Sequence, residues 1–218
     1  SLDIFFICLP IDLVLYFKDV FSQSNIFINQ VICSSYAKAI NYKDNLNLNE
    51  HTSFIDVGFN KTTIISYYND MFLSMNILPI GGNHITKDIS KILKIDLEQS
   101  ELIKINFDKN QKILTDKNIS LDTLQKIVFA RTEEILELCV KAVESNFLLF
   151  GKFKMVLMGE GSRILDNEYK DKIFDRFYSD RKETNNKYSG LGLSISKEII
   201  KSFNGSIELT KSDERDFT

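Results

Sequence analysis

From Leu78 to Asp88 the chain reads Leu-Pro-Ile-Gly-Gly-Asn-His-Ile-Thr-Lys-Asp. An apolar strand end runs into a glycine pair, and the pair runs directly into a helix start. Glycine tolerates φ > 0 and has no Cβ, so such a turn lets the backbone approach a ligand closely. The N-terminus of the following helix offers N–H groups and a partial positive charge, which suit a phosphate or a ribose hydroxyl. A Gly-Gly pair alone is most often a plain turn, but two neighbours add weight. Thr52 to Gly58 is a strand ending in Asp-x-Gly, and Lys154 to Ser162 is a buried strand ending in Gly-x-Gly-Ser. Each neighbour is a further strand end running into a glycine turn, and together they raise the value of the Gly-Gly signal.

Composition removes several classes. The formal net charge of -3 gives no reason to expect nucleic acid as a partner. Cys8, Cys33 and Cys139 are scattered and odd in number, as in a reduced cytoplasmic protein. With only His51 and His84, no histidine metal site is expected. The apolar stretch Ile4 to Phe17 is broken by Pro10 and Asp12, is too short for a membrane span and lacks the basic start and cleavage site of a signal peptide. The chain starts at Ser1 without methionine and stops at Thr218, and both ends read as cuts.

Periodicity predicts a strand over Phe5 to Leu9, a helix over Ile11 to Ser22 and a strand over Phe27 to Ser34, ending near Tyr36-Ala37. Asn41 to Glu50 reads as loop. Strands follow at Phe54 to Gly58, Thr62 to Tyr68 and Met71 to Ile80, with Asn69-Asp70 as a hairpin turn. Helices are expected over Thr86 to Leu93 and from a capping box at Asp96 and Gln99 to about Lys104. The longest helix runs from a Ser120 cap to about Ser145, with Leu124, Ile127, Ile135 and Leu138 expected in the core. Met155 to Met158 reads as a buried parallel strand.

The ordered set Asp56-Val57-Gly58, Ile80-Gly81-Gly82-Asn83-His84-Ile85-Thr86 and Gly159-Glu160-Gly161-Ser162 resembles the bacterial cell-division protein FtsA, of the actin-like ATPase superfamily, over about residues 20–170. The resemblance implies an α/β fold, a partial actin-like (ribonuclease-H-like) lobe with a mixed sheet. Residues 1–51 would belong to a first lobe and 52–170 to the second. It implies ATP, with Mg²⁺ in intact relatives, held by Asp56, Gly58 and Thr62 of a phosphate hairpin, by Gly81, Gly82 and Asn83, by Glu101 and Lys104 at ribose and base, and by Gly159, Gly161 and Ser162 at adenosine. By residue chemistry alone, an aspartate such as Asp56 is more often a turn cap, and Glu101 with Lys104 could equally be a solvated ion pair.

The family's glycine run is replaced by Phe59 and Asn60. Bulky residues there would be strained if φ must be positive, and they keep phosphate oxygens from the backbone. The first phosphate hairpin would lie ahead of Ser1, so no catalysis is expected of this chain. The resemblance further implies self-association and FtsZ as partner, and a cytoplasmic location at the inner face of the cell membrane at the division site. Membrane attachment would come through a helix this chain lacks. Another actin-like ATPase, such as a pilus-assembly relative, is the alternative.

A second resemblance covers about 173–218. Ile173-Phe174-Asp175-Arg176-Phe177-Tyr178 and Ser189-Gly190-Leu191-Gly192-Leu193 are similar to the end of a sensor histidine kinase ATP-binding domain, where Gly190 and Gly192 would border phosphates. The phosphoacceptor histidine and the Mg²⁺-binding asparagine box have no counterpart. This reading makes 171–218 a kinase-like fragment of helix (Leu191 to Phe203) and strand (Ser206 to Leu209), joined to the lobe near 170–173 in a chimeric chain, and it makes a sensor histidine kinase fragment of two-component signalling the other alternative function.

Overall fold

The computed structural model describes residues 6–45, 51–105, 120–150 and 153–159. The chain divides into two compact units, Ser1–Asn47 and Leu48–Thr218.

In the first unit, α1 (Ile11–Ser22) forms as its pattern predicts and contains no buried residue. Residues 6–10 and 26–33 form no strand, against expectation. Apolar β-branched runs favour a strand only where a neighbouring strand takes up their ladder bonds, and no described strand pairs with these segments. A second helix, α2 (Ser34–Asn45), replaces the expected strand end and the start of the expected loop. Its polar residues hid the helical period, but Ser35 and Ala39, four apart, are both buried.

The second unit is built on a four-stranded mixed sheet in the order β3-β2-β1-β4. β1 (His51–Val57), β2 (Thr62–Tyr68) and β3 (Met71–Leu78) form an antiparallel meander. Asn69 and Asp70 close the second hairpin with φ of 46° and 65°, the left-handed pair that a type I′ turn needs. β4 (Phe153–Met158) returns parallel to β1, so that Asp56 lies opposite Met158. β1 begins three residues earlier than the pattern suggested and is buried throughout, as expected of a central strand covered on both faces.

Between β3 and β4 come α3 (Gly82–Leu93), α4 (Leu97–Ile105) and the long α5 (Leu121–Phe150). α5 serves two cores. Ile135, Leu136, Cys139, Val140 and Val143 pack on Ile55, Val57, Ile64, Met155 and Leu157 of the sheet. Nearer its start, Leu124, Ile127 and Val128 pack with Ile85 and Ile89 of α3 and Ile103 of α4. Leu138, expected in the core, is 37% exposed. At 100° per residue the stripe that meets the sheet runs through 135, 136, 139, 140 and 143, and 138 falls outside it. On the sheet's other face, Phe54, Tyr67 and Phe72 form an edge-to-face aromatic row with centroids 5.9 Å apart at each step.

Candidate functional site

The carboxyl ends of β1 and β4, the end of the β3 meander and the start of α3 meet at one edge of the sheet. Open α/β sheets bind ligands at such an edge. Asp56, Gly58, Thr62, Gly81, Gly82, Asn83, Glu101, Lys104 and Gly159 are all brought to it. Gly161, Ser162, Gly190 and Gly192 lie outside the described residues, as do the helix and strand expected in 191–209.

The parts interlock. Thr62 Oγ1 donates to the Ile80 carbonyl at 2.7 Å, fixing β2 to the approach of the glycine turn. Gly81 has φ −167°, an extended value open to any residue, so positive φ is not why glycine stands there. Space is the reason: a Cβ would fall on the Gly58 carbonyl oxygen, and 2.8 Å from the Phe59 oxygen. Gly159 has φ +84°, and a Cβ would collide with the Asp56 carboxylate. Asp56, buried at the strand end, and the Gly159 backbone therefore touch.

α3 starts at Gly82, four residues before the expected Thr86. His84 explains the difference, because its Nδ1 accepts the Gly81 N–H at 3.1 Å and closes the first turn with a side chain outside the usual capping set. The sequence suggested first-turn amides open to a phosphate, but in the structure they are engaged. Gly82 N–H donates to Gly58 O at 2.9 Å, Asn83 N–H to Phe59 O at 2.7 Å and His84 N–H to Gly81 O at 2.9 Å. Asn83 Nδ2 adds a bond to Asn60 Oδ1 at 2.9 Å. Phe59 and Asn60 are also unstrained, since neither has positive φ.

Beneath the turn, Lys104 is 7% exposed and its ammonium is saturated. It donates to Gly82 O at 3.1 Å, Thr86 Oγ1 at 2.9 Å and Glu101 Oε2 at 2.7 Å, one bond for each of its three protons. The Phe59 ring lies 5.6 Å from the same nitrogen. Glu101 Oε2 also accepts from Thr86 Oγ1, while its side chain is 29% exposed. The expected Glu101–Lys104 pair thus exists, but as a partly buried cluster rather than a solvated one. Thr86, the hub of that cluster, was missed in the sequence. Its signal was its place four residues after Gly82, on the same helix face. Among the described residues no three His, Cys, Asp or Glu side chains group to hold a metal ion, and no helix is long and apolar enough to cross a membrane.

A partly exposed carboxylate at this edge can accept hydrogen bonds from a ligand's hydroxyls, and the strand-end glycine admits no side chain. An anion would meet backbone and ammonium donors already engaged within the chain.

This lobe has the actin-like ATPase fold. The chain resembles a PilM–PilN type IV pilus biogenesis complex (TM-score 0.58, 13% identity, 94% of this chain and 51% of that one). It also resembles MreB 5 of Spiroplasma citri bound to AMPPNP (TM-score 0.52, 18% identity, 87% and 63%). At such identities the likeness is one of fold. Sequence decides the family: the family model of cell division protein FtsA matches residues 53–202, and the chain belongs to that family. That match continues past 170–173, where a junction was expected, and takes in the first part of the segment likened to a kinase. Cell division protein FtsA of Streptococcus pneumoniae serotype 2 is 30% identical over 125 residues (51% of this chain, 27% of the relative). The Bacillus subtilis (strain 168) protein is 32% identical over 118 residues (47% and 26%). The Neisseria meningitidis serogroup B protein is 32% identical over 142 residues (56% and 34%). The matched region is thus about a quarter to a third of the relatives' length.

Proposed function

We propose that this chain forms one wall of the adenine-nucleotide cleft of an FtsA-type division protein. Residues 52–170 act as its second lobe. The observation that carries this reading is the convergence of Asp56, Gly81, Glu101 and Gly159, from four separate elements, at one sheet edge in a chain of the FtsA family. Glu101 serves the ribose, and Gly159, with Gly161 and Ser162 of the same sequence motif, serves the adenosine. Asp56 stands at the phosphate end, where Mg²⁺ would accompany ATP in the whole protein. The whole protein polymerises and links FtsZ to the inner face of the cell membrane at the division site.

One wall encloses a ligand less than a cleft does, so ATP binds this chain more weakly than about 100 μM. Calorimetric titration of the chain with ATP checks this, and micromolar affinity would refute it. The fold likeness to the pilus complex supports a pilus-assembly role as the second reading. Capture of purified FtsZ by the immobilised chain, without capture of a pilus-assembly partner, separates the two.

A further inference from the structure

We infer that Phe59 and Asn60 set the ligand class of this wall, making it a site for the nucleoside end and indifferent to the phosphates beyond the first. The inference rests on the nucleotide reading above, and it starts from the misfit at the phosphate end.

Residues 58–61 form the tip of the β1–β2 hairpin, closed by the Gly58 N–H donating to Lys61 O at 3.0 Å. Two side chains pin this tip down. Phe59, 55% exposed, lays its ring towards the Lys104 ammonium, a cation–π contact. Asn60 holds the Asn83 side chain. With the tip pinned, the carbonyls of Gly58 and Phe59 sit on the Gly82 and Asn83 amides. An anion would need those amides, and it would meet two carbonyl oxygens instead. Lys104 offers no compensation, since its three protons are taken and the ring lies over it. Glu101 is a partly exposed carboxylate at the edge, and a carboxylate accepts hydrogen bonds from sugar hydroxyls while repelling phosphates. A glycine run at 59 and 60 would carry neither pin.

Two measurements test this on the whole 218-residue chain. The first is amide hydrogen exchange of wild type, Phe59→Gly/Asn60→Gly and the milder Asn60→Ala. The Gly82 and Asn83 amides are protected in wild type and lose at least tenfold protection in the double variant, with a smaller loss in Asn60→Ala. The Ile89 amide, inside α3, stays unchanged and reports that the lobe is folded. Undiminished protection at 82 and 83 overturns the pinning. The second is calorimetry with AMP and ATP. Wild type binds the two within threefold of each other, whereas the double variant binds ATP at least tenfold better than AMP. A tenfold ATP preference in wild type overturns the inference. Binding of neither nucleotide by any variant overturns both the nucleotide reading and the ligand class, and the exchange result then decides the pinning by itself.

Discussion

His51 opens β1 with 0% exposure, and burial lowers its pKa to about 4. An unfolded histidine titrates near 6.5. Between those two values the unfolded chain takes up a proton that the folded chain refuses. Stability is therefore full above about pH 6.5 and declines as pH falls towards 4, by on the order of 2–3 kcal/mol from this group. Urea melts at pH 7 and 4.5 read the loss, and it shrinks in His51→Phe. Cys139 shows the opposite case. Burial pushes its thiol up to about 12, so it stays a thiol at neutral pH and resists alkylation in the folded chain, whereas exposed Cys8 reacts readily. Mass spectrometry after brief iodoacetamide treatment separates them. Gly159→Ala combines a positive φ with a collision on Asp56, and it costs roughly 2–4 kcal/mol in denaturant melts. The glycines were visible in the sequence, but their reasons were not. Gly159 answers to φ and Gly81 to close approach, and only coordinates tell those apart.

At the scale of elements, α5 holds the lobe together by touching both cores, and Arg131 joins it to α3. The Arg131 guanidinium grips Asp88 through Nε at 2.6 Å and Nη2 at 3.0 Å, and Nη1 reaches Glu134 at 2.5 Å. Both partners of the Arg131–Asp88 pair are about one-quarter exposed, so solvent screening limits it to about 1 kcal/mol despite its bidentate geometry. A double-mutant cycle with Arg131→Met and Asp88→Asn measures that coupling. Leu136→Ala removes a fully buried side chain and costs about 2–5 kcal/mol. Leu138→Ala, at a half-exposed position, costs well under half as much in the same melts. The periodic pattern placed α5, its start and most of its core residues, yet it could not choose between Leu136 and Leu138. Both are leucine, and the choice depends on where the sheet lies.

At the scale of the molecule, the proposed reading puts one carboxylate, Asp56, at the phosphate end among the described residues, in a lobe matching about a quarter to a third of the length of its FtsA relatives. Organising Mg²⁺ and an attacking water takes more groups than that. On the proposed one-wall reading, ATP hydrolysis by this chain stays at the buffer rate in a phosphate-release assay, and turnover above buffer contradicts that reading.

The sequence by itself determined the family, the meander with its Asn69-Asp70 turn, the parallel return strand and the glycine-marked edge. All of these rest on local chemistry: alternation, turn residues and short motifs that act within a few positions. Tertiary structure decided which segments of the first unit become helix, because Ser34–Asn45 and the apolar run before it carry weak local signals. It also decided the state of the site. Whether the α3 amides, Lys104 and Phe59 face a ligand or one another depends on residues about 20 to 45 positions apart meeting in space. No local pattern encodes that meeting, and here it joins the hairpin tip to the helix start.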